Sequence, residues 1–247
     1  MLLAVDIGNT NIKFGVFDGD KLVSQSMTPT DPVRHDDSSG LKILDELKIT
    51  AAIVCSVVRE ANETVKRYLV STYDVDPVFV SNDFDFGLKI KYEPLESAGT
   101  DRLVNAFSAA EQFGVPCMVC SFGTATTVDV VDRDRTLIGG MIAPGFGTMA
   151  AALRLKTSQL PHVELKKPDN LLGNNTVDAV RSGIYHSQLG LVELVARQIS
   201  NKLGVEPKVI FTGGFASDIA SHFSSEVKLD ESLTLKGLKM IYSRHSI

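Results

Sequence analysis

The chain is short of cysteine, has no block of basic residues and contains no long apolar segment, and each shortage removes a class of function. Three cysteines among 247 residues, Cys55, Cys117 and Cys120, are too few and odd in number for a disulfide framework. Cys117 and Cys120 stand in C-x-x-C spacing. The stretch around them is apolar and reads as a buried strand, on which residues three apart point to opposite faces, so both thiols are expected in the core. The five histidines are scattered without metal-ligand spacing. The net charge is -5, so nucleic acid has no electrostatic footing, although backbone amides can hold phosphate without net positive charge. No apolar run approaches the length of a membrane span. The first residues reach Asp6 too early for a signal peptide, and a cytoplasmic protein is the expectation. Walker A, G-x-G-x-x-G and H-R-D patterns are absent too, which sets aside P-loop, Rossmann and protein-kinase readings.

What is present is a chain with 44% hydrophobic and 22% charged residues, suited to one large domain or two small ones. A weak internal repeat organises it. L-A-V-D-I-G-N-T at 3–10 lines up with M-V-C-S-F-G-T-A at 118–125. Each runs from an apolar strand through a glycine turn into a second strand, over 12–17 and 126–131, and then into a polar turn. Between the copies the pattern predicts a helix over 41–47, a strand over 51–57, an amphipathic helix over 60–73, a strand over 77–80 and a helix over 102–113. The stretch 28–40 is the most loop-like. After the second copy come a strand over 139–145, a helix through 150–153, a long helix over about 176–203, a strand over 209–211 and a short helix over 216–223. The class is α/β with largely buried sheets. The halves divide at 1–115 and 116–247.

The long helix keeps Val177, Val180, Ile184, Leu191, Val195 and Ile199 at helical spacing, with Thr176 placed to cap it. Gly183 and Gly190 inside it each cost about 1 kcal/mol against alanine. Close packing on a subunit or domain neighbour would account for them, and so would a long core helix within one chain.

Three turns carry the candidate chemistry. Asp6, at the end of the first strand, is placed to hold Mg²⁺ through water, since Mg²⁺ takes one or two carboxylates plus phosphate oxygens. Gly8 lets the backbone approach an anion, Asn9 and Thr10 supply donors, and Lys13 can add positive charge. A plain hairpin with turn residues is the competing reading. The hydroxyl-rich turn at 123–127 repeats the logic, and Thr212-Gly213-Gly214 suits contact with a flat or ribose-bearing group. The two hairpins would make a cleft for a polyphosphate. Gly99-Thr100-Asp101-Arg102 opens a helix, with Asp101 either a general base for an acceptor hydroxyl or a helix cap.

In this order and spacing, D-x-G-N-T at 6–10, G-T-D-R at 99–102, G-T-A-T-T-x-D at 123–129, G-G-x-I-x-P-G at 139–145, L-P at 160–161, G-x-N-T at 173–176 and T-G-G at 212–214 resemble type III pantothenate kinases over essentially the whole chain. The resemblance implies duplicated actin-like (ribonuclease H-like) domains with a nucleotide cleft between them. It implies ATP-dependent phosphorylation of pantothenate, the first step of coenzyme A synthesis. Asp6, Ile7, Gly8, Asn9, Thr10, Asn11, Ile12, Lys13 and Thr124, with Gly213 and Gly214, would bind ATP. Tyr92, Gly99, Thr100, Asp101 and Arg102 would hold pantothenate, joined by Thr176 across a homodimer interface, with Asp101 the base. Mg²⁺ and a monovalent cation, K⁺ or NH₄⁺, are implied. The chain departs from the family at Ser121, where the family carries the cation-binding Asp, and Pro94 sits one residue earlier relative to Tyr92. A member without turnover that acts as a regulator, and an actin-like kinase for another small alcohol, are the alternative readings.

Overall fold

Strands buried on both faces form where apolar runs lack alternation, and two such runs become the central strands of two sheets. The computed structural model describes residues 1–44, 48–157, 160–161 and 163–245. In chain order the elements are β1 (Leu2–Ile7), β2 (Asn11–Asp18), β3 (Lys21–Pro29), α1 (Thr30–Arg34), β4 (Ala51–Ser56), α2 (Arg59–Tyr73), β5 (Val78–Phe79), β6 (Lys89–Ile90) and α3 (Thr100–Phe113). There follow β7 (Cys117–Phe122), β8 (Ala125–Val131), β9 (Thr136–Pro144), α4 (Phe146–Lys156), α5 (Thr176–Leu203), β10 (Lys208–Gly213), α6 (Ala216–Ala220), β11 (Val227–Leu229) and α7 (Leu233–Arg244).

The chain forms two compact units, one of residues 1–88, 92–108 and 232–247 and one of residues 89–91 and 109–231. In the first, the strand order is β3-β2-β1-β4-β5; β1 pairs antiparallel with β2 and parallel with β4. In the second, the order is β11-β10-β7-β8-β9-β6; β7 pairs antiparallel with β8 and parallel with β10. The repeat therefore extends well past the hairpins. Each unit is a three-stranded meander whose first strand also pairs in parallel with a later one.

The units do not follow the expected division at 115/116. The last helix, α7, packs on β1, β2 and β4 and belongs with the first unit. Its contact with α3 depends on Gly237, where an added Cβ would lie 2.8 Å from Val104 Cγ1 and 2.9 Å from Ser108 Cβ. Ser108 Oγ also donates to the Leu233 carbonyl (2.8 Å), and Thr234 Oγ1 to Asn105 Oδ1 (2.8 Å).

Several elements differ from the sequence expectation. The edge strand β3 runs through the start of the supposed loop, and α1 follows it. Around 41–47 a 3-10 turn spans Ser39–Leu44, and positions 45–47 lie outside the described residues. The long helix spans Thr176–Leu203 as expected, but its cap is Asn175, whose Oδ1 accepts the Asp178 amide (3.0 Å). Thr176 is the first helical residue, and Gly204, at φ 64°, ends the helix in the left-handed conformation. A Cβ built on Gly183 or Gly190 meets nothing within 4 Å, so no neighbour in the described unit explains these glycines. Cys117 and Cys120 are both buried with free thiols, as expected of core residues. Among the described residues no helix is long and apolar enough to cross a membrane.

Helix propensity favours alanine over glycine by about 1 kcal/mol, yet Gly237→Ala is expected to destabilise, because overpacking costs about 1–3 kcal/mol. In thermal unfolding the midpoint should fall by about 2–4 °C per kcal/mol of net loss. A raised midpoint would mean that α7 and α3 have room to spare.

Candidate active site

The first unit builds its site at the end of β1. Asp6 pairs with Lys13 across the hairpin and with Cys55 on β4. The hairpin turn is closed by the Gly8 amide donating to the Asn11 carbonyl (3.0 Å). It is held from the β3–α1 junction, where Thr30 Oγ1 donates to the Gly8 carbonyl (2.6 Å) and the Thr30 amide to the Thr10 carbonyl (2.9 Å). Asn9 and Thr10 are exposed at the tip. A turn pinned from beneath with its tip in solvent is pre-organised to meet an anion.

Asp101 sits in the first turn of α3 and accepts the Arg102 amide through Oδ1 (2.9 Å). A Cβ on Gly99 would lie 2.5 Å from that same oxygen, so glycine is the residue that leaves the carboxylate in place. Arg102 is buried, and its Nη1 donates to the Tyr92 hydroxyl (2.8 Å). Cys55 Sγ donates to Thr100 Oγ1 (3.3 Å), which donates to the Ser56 carbonyl (3.2 Å), tying α3 to the end of β4. Asn82 Nδ2 donates to the carbonyls of Leu95 and Ala98 (2.8 Å each) and so fixes the approach to Gly99. Thr30, Cys55 and Asn82 were not singled out from the sequence. Their partners lie 13 to 45 residues away, and no local pattern marks them.

The charge of Asp101 reaches Asp6. Burial, then the Asp101 charge, pushes Asp6 up to about 7, against a downward pull from Lys13. Burial likewise raises Asp101, opposed by the Arg102 amide and guanidinium. An acidic side chain that holds its proton this tightly fits a position meant for a cation, which would replace the missing solvation. The donor set, one strand-end carboxylate beside an exposed donor-rich turn, suits hydrated Mg²⁺ completed by phosphate oxygens.

The second unit carries the equivalent turn. Ser121, at the place of Asp6 in its sheet, pairs with Thr127 and Thr212, and Phe122 pairs with Gly213. Gly213 has φ 92°, and a Cβ there would meet the Phe122 backbone at 2.5–2.7 Å, so glycine at 213 is required for β10 to lie against β7. Gly123 and Thr124 are exposed, and Thr176 is exposed at the start of α5. Thr124, Ser121, Gly213 and Gly214 fall in this unit, as does Thr176, whereas Tyr92, the segment 6–13 and Gly99 to Arg102 fall in the first.

The raised Asp6 fixes the sign of a pH effect in metal-free protein. Its folded value lies above the unfolded one of 3.8, so the folded state binds the proton more tightly. Stability is favoured below about pH 4 and is lost as pH rises toward and through 7. Asp6→Asn should therefore unfold several degrees higher than the parent at pH 8, about 2–4 °C for each kcal/mol recovered. That gap should narrow as pH falls toward 4. A gap that is the same at pH 5 and pH 8 would contradict it.

Residues 2–198 match the family model described as Type III pantothenate kinase. A type III pantothenate kinase of Brevibacillus brevis is 37% identical over 253 residues, covering 99% of each chain. One from Agathobacter rectalis is 35% identical over 255 residues, covering 100% of this chain and 98% of its own. Among solved structures, a proposed 2-dehydro-3-deoxygalactonokinase of Sinorhizobium meliloti superposes with a TM-score of 0.63 at 12% identity, covering 99% of each chain. At that identity the likeness speaks for fold alone, and the fold is the two-domain actin-like one. With a family model that covers most of its length and relatives this similar from end to end, the chain belongs to the type III pantothenate kinase family.

Proposed function

We propose that this protein transfers the γ-phosphoryl group of ATP to the primary hydroxyl of pantothenate, giving ADP and 4′-phosphopantothenate. The observation that carries the reading is the pair of half-buried carboxylates, Asp6 and Asp101, both raised by desolvation, in one unit with the Arg102–Tyr92 contact beside Asp101. Phosphoryl transfer asks little covalent chemistry of a protein. It asks for an acceptor hydroxyl in line, a base for its proton, and donors where charge accumulates. Asp101 is the base in this reading: its raised proton affinity suits it to take the hydroxyl proton as the new P–O bond forms. Arg102 and Tyr92, with Gly99 and Thr100, orient pantothenate. The amides and side chains of residues 6–13 and Thr124 receive the phosphates, and Gly213 and Gly214 lie along the adenosine. Asp6 would hold Mg²⁺ through water, and the ion would neutralise phosphate charge when bound.

Thr176 is assigned to the pantothenate bound by a second copy of the chain. The open space over Gly183 and Gly190, and exposed Leu155, Leu171, Leu172 and Leu194 in the same unit, support a homodimer through the second unit. A cytoplasmic location accords with the use of ATP. The monovalent-cation requirement is proposed to be weakened, because Ser121 offers a neutral hydroxyl where the family has a carboxylate.

Two measurements test the reading. Incubation with ATP and Mg²⁺ should yield ADP only when pantothenate is present, and Asp101→Asn should lower kcat by roughly 10²–10⁴-fold. Undiminished turnover in that variant would remove Asp101 from the base role. Ser121→Asp should gain a severalfold stronger response to K⁺ than the parent, read as rates with and without the ion. An identical K⁺ response in both would exclude Ser121 from cation binding.

A further inference from the structure

Gln188 lies midway along α5, in the apolar layer that contains Ile184 and Val192, and is only 2% exposed. A glutamine amide is costly to bury unless its donors and acceptor are used. Here they are. Oε1 accepts from Thr126 Oγ1 (2.5 Å), and Nε2 donates to the Pro144 carbonyl (2.9 Å) and reaches Met149 Sδ (3.1 Å). Those partners stand on β8, at the end of β9 and on α4. The same three elements hold the turn Gly123–Thr124. Thr126 is two residues past it, and Ala125, which follows it, pairs with Pro144. The Gly145 amide and Thr148 Oγ1 both donate to the Thr124 carbonyl (3.0 and 2.6 Å). A side chain on Gly145 would collide with the carbonyls of Gly123 and Thr124, so the turn rests directly on the start of α4.

We infer that Gln188 is a positioning residue for the nucleotide turn, fixing through Thr126 and Pro144 where Gly123 and Thr124 sit. This rests on the reading above that Thr124 contacts ATP. A leucine or methionine would fill the same volume in α5, so packing alone does not call for an amide. What the amide adds is a link between one rigid helix and both strands that flank the turn. Losing it leaves the Thr126 hydroxyl buried without its acceptor and lets the turn shift on its base. A displacement of this kind weakens phosphate binding and leaves Tyr92 and Gly99 to Arg102, the pantothenate residues of the other unit, unaffected, while Thr176 at the far N-terminal end of α5 is anchored separately by the Asn175 cap.

The test is steady-state kinetics with each substrate varied in turn, alongside thermal unfolding of every variant. Gln188→Leu should raise KM for ATP about tenfold while KM for pantothenate stays within twofold. Thr126→Val should act in the same direction, Thr126→Ser should restore the parent value, and the double variant Gln188→Leu/Thr126→Val should be no worse than Gln188→Leu alone. The inference is overturned if both Gln188→Leu and Thr126→Val keep KM for ATP within twofold of the parent, or if KM rises equally for both substrates. Should Gln188→Leu fail to fold, the two Thr126 variants decide by the same criterion. If the parent itself shows no pantothenate-dependent ADP formation, the kinase reading fails and takes this inference with it. If the parent turns over and the variants match it, only the role of Gln188 falls.

Discussion

The first unit is organised around two carboxylates that are costly to ionise where they stand. Asp6 closes a strand whose other residues are nearly all core, and Asp101 begins a helix whose next nine residues are buried. Neither is placed for stability. Burial raises the proton affinity of both, and the charge of Asp101 adds to it at Asp6. Much of the surrounding detail serves to keep them there: Thr30 under the hairpin turn, Cys55 and Ser56 against Thr100, and the absence of a side chain at Gly99. A fold that accepts this cost in its ligand-free state is set up to bind something that relieves it, which is the ordinary trade between stability and activity.

Legibility from the sequence followed the physics of each element. The helix Thr176–Leu203 was readable end to end because many turns repeat one spacing. β1 and β7 were readable as apolar runs. β3 was not: as an edge strand it leaves Val23 and Met27 exposed and is defined by pairing with β2, which no local pattern records. The short strands β6 and β11 depend on neighbours in the same way. In the site, the motif residues were legible through family resemblance. Their supports, such as Asn82 and Gln188, act over long sequence distances and carry no signature of their own. Asn175 displaced Thr176 as the cap because helix entry is set by backbone angles as much as by side-chain type.

The duplicated meanders have diverged where charge matters. The first keeps a carboxylate at the strand end and a lysine across from it; the second has Ser121 opposite Thr127. One copy bears the electrostatic burden. The other contributes a neutral, hydroxyl-lined turn anchored to α4 and α5 by hydrogen bonds. Pseudo-symmetry of backbone thus coexists with a division of labour between side chains, as expected where function resides in a site rather than in a fold.

The return of α7 to the first unit has a consequence for how the protein is made. Residues 1–108 leave the ribosome long before Leu233–Arg244 does, so the face of β1, β2 and β4 that this helix covers stays bare while the whole second unit is synthesised. The nascent first unit is then an incomplete domain awaiting its last piece, and an apolar face left uncovered in this way is the kind of surface through which unfinished chains associate.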